Sequence, residues 1–190
     1  MAQYTQKAIL NTFQQMLQEM PFEKITVSAL VRRCEISSNT FYYHYRDIYH
    51  LLDVWIRTAL SKYIDGKEPY DSLDSSMKEL LKDCQKNSTI IFHIFDSVSR
   101  DRLERFVYNV GGEVFYRVVC GYASCCIVPE EKLREIADFC QYSFCGLFLH
   151  FLWGRMKEDV DPLVESFSDT AETFIMSALA KYQGRCVSMY

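Results

Sequence analysis

The sequence lacks any apolar run of the roughly eighteen residues that a membrane-spanning helix requires. Its first residues, 1–7, are polar and do not form the apolar stretch of a secretory signal. Hydrophobic residues make up 49% and aromatic residues 15% of the 190 residues, which argues against extended disorder because so much apolar surface can build a core. We therefore expect a folded cytoplasmic protein, with one medium domain or a small domain joined to a larger one.

Signatures of common enzymes are also missing. The sequence has no glycine-rich phosphate loop, no nucleophile elbow and no His-Glu-x-x-His metal site. Paired acids such as Glu130 and Glu131 stand at a predicted helix start, where the helix dipole accounts for them. The sequence therefore predicts a protein with no enzymatic activity, no cofactor and no metal site.

Eight cysteines are present, but no Cys-x-x-Cys pair and no zinc-finger spacing occurs among them. They are scattered through apolar segments of a chain without an export signal, which favours small buried hydrophobes over disulfides. The adjacent Cys125 and Cys126 are the best candidates for an alternative role in sensing redox state or metal. The full set is Cys34, Cys84, Cys120, Cys125, Cys126, Cys140, Cys145 and Cys186.

The net charge of −4 is unevenly distributed along the chain. Residues 1–63 contain seven Lys/Arg and five Asp/Glu, whereas residues 64–190 contain fourteen and twenty. This asymmetry indicates a mildly basic N-terminal part on an acidic body, and the basic part is the one suited to nucleic acid.

Apolar residues recur at three- and four-residue intervals in nearly every segment, and no convincing strand alternation appears, so we predict an all-α fold. Pro21 should end the first helix, and Gly111-Gly112 should kink or interrupt a helix predicted over 102–119. The clearest linker is Gly66 to Pro69. We therefore predict a three-helix helix-turn-helix domain with a connecting fourth helix over 1–63, and a larger helical domain over 64–190.

The most informative stretch is residues 25–52, ITVSALVRRCEISSNTFYYHYRDIYHLL. Thr26 and Ser37 suit the N-caps of two short helices, which a tight turn at Cys34-Glu35-Ile36 would join. Asp47 is placed to cap the fourth helix. Two short helices joined by a tight turn are the physical requirement for placing a helix in the DNA major groove.

The second of these short helices, predicted over Ser38 to Tyr45, divides its residues between two tasks. Phe41 and Tyr45 are four residues apart and can anchor one face to the core. Short polar side chains are left at the leading end and outer faces, and the Asn39 amide can pair bidentately with adenine. Tyr42 and His44 can donate hydrogen bonds to phosphates, and the adjacent Arg46 adds a cation.

At these residues the sequence resembles the TetR family of bacterial transcriptional regulators. The resemblance implies phosphate contacts from Thr26, Tyr42 and His44, and contacts to base edges from the tip of the second short helix. It covers roughly residues 5–60 and runs through Phe13, Phe22, Ile25-Thr26-Val27, Leu30, Ile36-Ser37, Thr40-Phe41-Tyr42, His44-Tyr45 and Leu51-Leu52. The predicted DNA-binding residues are Thr26, Ser37, Ser38, Asn39, Thr40, Tyr42, Tyr43, His44 and Arg46.

Three positions depart from the family pattern. Ile48 stands where a lysine commonly opens the fourth helix, Glu35 replaces the usual turn glycine, and Ser28 occupies a position that is basic in some members. Loss of the lysine should weaken phosphate binding and lower its salt dependence. The basic residues that could compensate are Arg32, Arg33 and Arg46.

The rest of the chain looks like the effector-binding and dimerisation domain of such regulators. By that resemblance, its last two long helices pair with their symmetry mates in a homodimer that binds a palindromic operator and represses transcription until a small molecule binds. The part over 146–164 is similar to a subgroup that includes the DhaS-type activators, so an alternative is an activator controlled by a protein coactivator. A redox or metal sensor using Cys125 and Cys126 is a further alternative.

Aromatic residues of the body could line an apolar effector pocket or simply pack in the core, because spacing does not distinguish the two. His93 and His150 lie in apolar segments, and we interpret them as hydrogen-bonded core or pocket histidines. The candidate pocket residues are Phe92, Phe95, Phe106, Tyr108, Phe115 and Trp153.

Overall fold

A computed structural model describes residues 2–64, 69–124 and 126–185. These ranges contain nine α-helices and no β-strand, which confirms the predicted all-α class. Residues 66–68 of the predicted linker lie outside the described residues, and its last residue, Pro69, begins a helix. The helices are α1 (Ala2–Glu19), α2 (Val27–Arg33), α3 (Ser38–His44), α4 (Ile48–Ile64), α5 (Pro69–Lys86), α6 (Ser88–Phe95), α7 (Arg100–Tyr122), α8 (Glu130–Trp153) and α9 (Val160–Leu179), with 3₁₀ turns at Phe22–Lys24 and Ala180–Arg185.

The chain divides into two compact units. The first comprises Met1–Lys62 and Lys86–Leu103, and the second comprises Tyr63–Gln85 and Glu104–Tyr190. The segment 86–103, which the sequence placed in the larger domain, therefore groups with the N-terminal helices. With this division the first unit carries ten Lys/Arg and seven Asp/Glu, and the second carries eleven and eighteen.

The first unit is built on a core that α1, α2, α3, α4 and α6 share. Phe13 of α1 lies edge-on against Phe22 and Trp55, with ring centroids 6.2 and 6.3 Å away. The buried residues of this core also include Ile9, Leu17, Leu30, Phe41, Tyr45, Leu51, Leu52, Ile90 and Ile94.

α6 joins this core because its buried Ile90 and Ile94 contact it and because His93 makes a specific hydrogen bond to α1. The Nδ1–H of His93 donates to the Leu17 carbonyl at 2.7 Å. Pro21, four residues after Leu17, has no N–H, so it cannot supply the usual helical bond to that carbonyl. His93 therefore satisfies an acceptor that proline leaves open, and its interpretation as a hydrogen-bonded core histidine is confirmed.

His150 does not share this role, and its interpretation as a core or pocket histidine is wrong. Its side chain stands on the exposed face of α8, and its Nε2 lies 3.4 Å from the Glu158 carboxylate. Apolar neighbours in sequence misled the prediction, because the exposed stripe of this helix is itself partly aromatic.

The second unit has its core between α7, α8 and α9. α7 runs through Gly111-Gly112, so the expected interruption there is wrong. A Cβ on Gly112 would lie 3.2 Å from Oε1 of the buried Gln141, whose amide nitrogen donates to the Tyr108 carbonyl. Gly112 therefore makes room for a buried polar side chain of α8.

α5 is attached to α9 and to the α8–α9 loop through polar contacts within the second unit. The Lys78 ammonium lies 2.9 Å from both Asp74 and Glu165. Nε2 of Gln85 donates to the Met156 carbonyl at 2.9 Å, which fixes the loop where Met156 has a positive φ of 54°.

The cysteine side chains are consistent with packing roles. Cys84, Cys140 and Cys145 are buried, and burial raises the pKa of the Cys140 thiol to about 11, which suppresses the reactive thiolate. Their interpretation as small buried hydrophobes is confirmed. Cys125 and Cys186 lie outside the described residues, and Cys126 is half-buried.

The described ranges contain no cluster of His, Cys, Asp and Glu that could hold a metal ion. Within the same ranges, no helix combines the length and the apolar character needed to cross a membrane.

Candidate nucleic-acid interface

α2 begins and ends with local hydrogen bonds that the sequence anticipated in part. The Thr26 hydroxyl accepts from the Ala29 N–H at 3.2 Å, which confirms the predicted N-cap. At the other end the Ile36 N–H donates to the Val31 carbonyl at 3.0 Å and the Glu35 N–H to Arg32, the paired bonds of a Schellman turn. This turn reverses the chain between α2 and α3.

Glu35 stands at the left-handed position of this turn, with φ of 55°. L-residues with a Cβ adopt this conformation at a cost, whereas glycine does not. The structure therefore explains why a glycine is usual at this position and shows that this chain makes the same turn without one.

The N-cap of α3 is Ser37, as predicted. Its hydroxyl accepts from the Thr40 N–H at 3.1 Å and lies 2.8 Å from the Thr40 hydroxyl. Both hydroxyls are therefore occupied in setting the start of the helix. α3 ends at His44, one residue before the predicted end, and Tyr45 adopts an extended conformation.

Two aromatic rings anchor α3 to the first unit, which confirms the role predicted for them. Phe41 is 0% and Tyr45 1% exposed, and their centroids lie 5.6 Å apart. Burial raises the pKa of the Tyr45 phenol.

The opposite face of α3 is open to solvent. Ser38 and Asn39 at its leading end are exposed, and the rings of Tyr42 and Tyr43 are 57% and 81% exposed. His44 is half-buried, with its ring 5.1 Å from that of Tyr43. The helix thus presents a polar, aromatic tip beyond its two anchors.

The three arginines considered as substitutes for the missing lysine differ in availability. Arg33 makes two contacts of 2.5 Å with the Glu19 carboxylate, which neutralises its charge locally. The Arg46 side chain is 79% exposed and pairs with the Asp47 carboxylate at 3.1 Å. Arg32 is exposed at the end of α2.

The junction between α3 and α4 contains two hydrogen bonds made by His50, one with Asp47 and one with Arg46. The Asp47 carboxylate accepts from the His50 N–H at 2.7 Å, and mainly this bond lowers the pKa of the carboxyl. The stabilisation is therefore present above about pH 4 and is lost as the carboxyl is protonated below it. Nδ1 of His50 accepts from the Arg46 N–H at 3.1 Å.

Sequence reasoning missed His50, although a signal was present. Asp47 and His50 have the three-residue spacing of a capping box, in which Glu or Gln usually occupies the second position.

The six predicted pocket residues fall in both compact units. Phe92 and Phe95 belong to the first unit and are half-buried there. The other four belong to the second unit, where Phe115 is buried and Trp153 is half-exposed. The remaining two, Phe106 and Tyr108, are half-buried.

A groove between α8 and α9 in the second unit was not anticipated. Its volume is about 380 Å³, and it contains none of the six predicted residues. Phe139, 54% exposed, stacks on Phe174 with centroids 4.2 Å apart and planes at 26°. The full lining is Lys132, Glu135, Ile136, Phe139, Phe174, Ser177, Ala178 and Lys181.

The capped α2, the Schellman turn and the solvent-facing α3 together define a helix-turn-helix protein. A family described as "Transcriptional regulator C-terminal region", the C-terminal domain of a group of TetR regulators, matches residues 71–173. The chain belongs to the TetR family of transcriptional regulators. It is therefore a DNA-binding transcription factor of a family that typically dimerises, and not an enzyme.

Two solved structures have a similar fold. The dihydroxyacetone kinase operon activator DhaS is 17% identical, with a TM-score of 0.68 over 91% of this chain and 97% of DhaS. NalD of Pseudomonas aeruginosa, the secondary repressor of the MexAB-OprM multidrug efflux pump, is 17% identical, with a TM-score of 0.54 over 92% of this chain and 98% of NalD. No curated protein sequence matches the chain significantly.

Proposed function

We propose that the protein acts as a homodimer that inserts α3 of each protomer into the major groove of a palindromic operator. The observation that carries this proposal is the polar tip of α3, which is exposed while Phe41 of this helix and Tyr45, which directly follows it, are fully buried. A dimer that reads two half-sites one turn apart requires the two helices to lie about 34–36 Å apart.

Within this interface we assign base reading to the leading end of α3. The exposed Asn39 amide can donate to and accept from one adenine, which gives it the strongest discrimination of the set. Ser38 and Tyr43 reach neighbouring base edges. Ser37 and Thr40 also contact DNA at this end of α3, where their hydroxyls form the helix cap.

Phosphate contacts surround these base readers and position the helix. Tyr42, His44 and Thr26 donate hydrogen bonds to the backbone. Ile48 offers no charge where a lysine is usual, so the exposed Arg46, with Arg32, supplies the cation. Arg33 contributes less because Glu19 holds it through two contacts of 2.5 Å, whereas Arg46 makes one contact of 3.1 Å with Asp47 and its side chain is 79% exposed.

We propose that the exposed faces of α8 and α9 form the dimer interface. The half-exposed Phe139 and its partner Phe174 present an aromatic surface of the kind that dominates interface energetics. Nothing lies within 4 Å of where a Cβ of Gly146, on the same helix, would stand, so a partner helix could approach closely there.

In this proposal the dimer represses transcription by occupying its operator, and a small molecule bound by the second unit releases it. Release requires that the effector bind the DNA-free state more tightly than the DNA-bound state. A protein coactivator is a second candidate, favoured by the exposure of Trp153, which faces solvent where a pocket residue would be buried.

Selection of bound duplexes from a random library tests the proposal. We expect a palindromic consensus with half-sites centred one helical turn apart. A repeat of the selection with the small-molecule fraction of a cell extract, and separately with its protein fraction, identifies which class of effector acts. Enrichment of no sequence, or of a single unpaired half-site, would contradict the proposal.

A further inference from the structure

We infer that His50 is a positioning residue whose protonation loosens the α3–α4 junction and lowers the preference of the protein for its operator. The inference rests on the proposed role of α3 in reading DNA. It follows from the hydrogen bond between the Arg46 N–H and Nδ1 of His50.

The geometry fixes the protonation state of the imidazole. A backbone N–H can only donate, so Nδ1 must be unprotonated for the 3.1 Å bond to exist. In this bonded arrangement the ring proton lies on Nε2. A Glu or Gln in the same capping position would accept at any pH near neutrality, whereas an imidazole stops accepting at Nδ1 once it is protonated.

The residue held by this bond matters for DNA binding. Arg46 lies between His44, a proposed phosphate contact, and Asp47, which caps α4. Its guanidinium is the most exposed cation of the junction, and its backbone is fixed on one side by His50. Loss of the bond between Arg46 and His50 frees the backbone at the point where α3 ends. The phosphate and base contacts proposed for α3 are then formed less accurately.

Other ionisable groups surround the imidazole. Beside it lie the Asp47 carboxylate, the Arg46 guanidinium and the Tyr45 ring, whose centroid is 5.9 Å from that of His50. From α7, Arg102 covers the ring of the adjacent Tyr49 and approaches Asp53 to 4.0 Å.

The first test measures the ratio of affinities for a library-selected duplex and for a scrambled duplex of equal length. For the wild type we expect this ratio to fall about fivefold between about pH 8 and about pH 5.5, the change in equilibrium that one hydrogen bond represents. His50→Gln is neutral and keeps an acceptor, so its ratio should change less than about twofold. His50→Leu should show the reduced ratio at both pH values.

These variants separate the effect of His50 from any effect of His44, because all of them retain His44. Equal pH profiles for the wild type and His50→Gln, or a wild-type ratio at pH 8 for His50→Leu, would overturn the inference.

The second test needs no DNA and so distinguishes failure of this inference from failure of the proposed function. In the full-length protein, the Arg46 amide proton resonance should move with the titration of the His50 ring, and it should stay constant in His50→Gln. An Arg46 resonance that ignores the titration of His50 would also overturn the inference, whatever the protein binds.

Discussion

At the scale of single residues, Glu35 shows how the chain forms a standard turn with an unfavourable residue. Its φ of 55° places it in the left-handed region, where a side chain costs about 1–2 kcal/mol relative to glycine. The surrounding bonds from Ile36 to Val31 and from Glu35 to Arg32 hold it there. The strain is local, so it can be removed without changing the DNA-contacting tip.

We predict that Glu35→Gly stabilises the first unit by about 0.5–1 kcal/mol, because relief of strain exceeds the added entropy of an unfolded glycine. Urea unfolding followed by Trp55 fluorescence in a Trp153→Phe background reports this unit. Glu35→Ala is the control, since alanine keeps the strain and should not stabilise. A Glu35→Gly protein no more stable than Glu35→Ala would refute the explanation.

At the scale of elements, the helix ends were predictable because their signals are local. Thr26, Ser37 and Asp47 each bond a backbone N–H three residues ahead, so residue type and spacing sufficed. The attachment of α6 to α1 was not predictable, because His93 and Leu17 are 76 positions apart. The same holds for Gly112, whose role depends on Gln141 of a different helix.

We predict that His93→Leu destabilises the first unit by about 1–3 kcal/mol, the cost of leaving the buried Leu17 carbonyl without a donor. His93→Asn is the matched variant, because its amide nitrogen can stand in for Nδ1–H. We expect it to recover more than half of the loss in the same fluorescence assay. Equal losses for both variants would show that ring packing, and not the hydrogen bond, matters at this position.

At the scale of the whole molecule, the uneven distribution of charge was visible in the sequence. The boundaries of the two compact units were not. Composition separates a basic N-terminal part from an acidic body. Segment 86–103 joins the first unit through contacts that only the folded chain reveals. The groove between α8 and α9 was likewise hidden, because an exposed aromatic stripe and a buried one have the same helical spacing.

We predict that Phe139→Asp weakens dimerisation by at least about tenfold, because it places a charge in the centre of the proposed interface. Sedimentation velocity should show a shift from twice the chain mass of 22.3 kDa towards the monomer at low micromolar concentration. Tyr4→Asp is the control, since it alters an exposed aromatic residue of the first unit. Wild-type association of Phe139→Asp would place the interface elsewhere.

Operator selection repeated with Asn39→Ala and Tyr42→Ala tests whether the tip of α3 reads bases. We expect Asn39→Ala to yield the wild-type consensus with one base position relaxed in each half-site. Tyr42→Ala should keep the whole consensus and bind every duplex more weakly. Uniform, sequence-blind losses from both variants, or an unchanged consensus with Asn39→Ala, would contradict the claim.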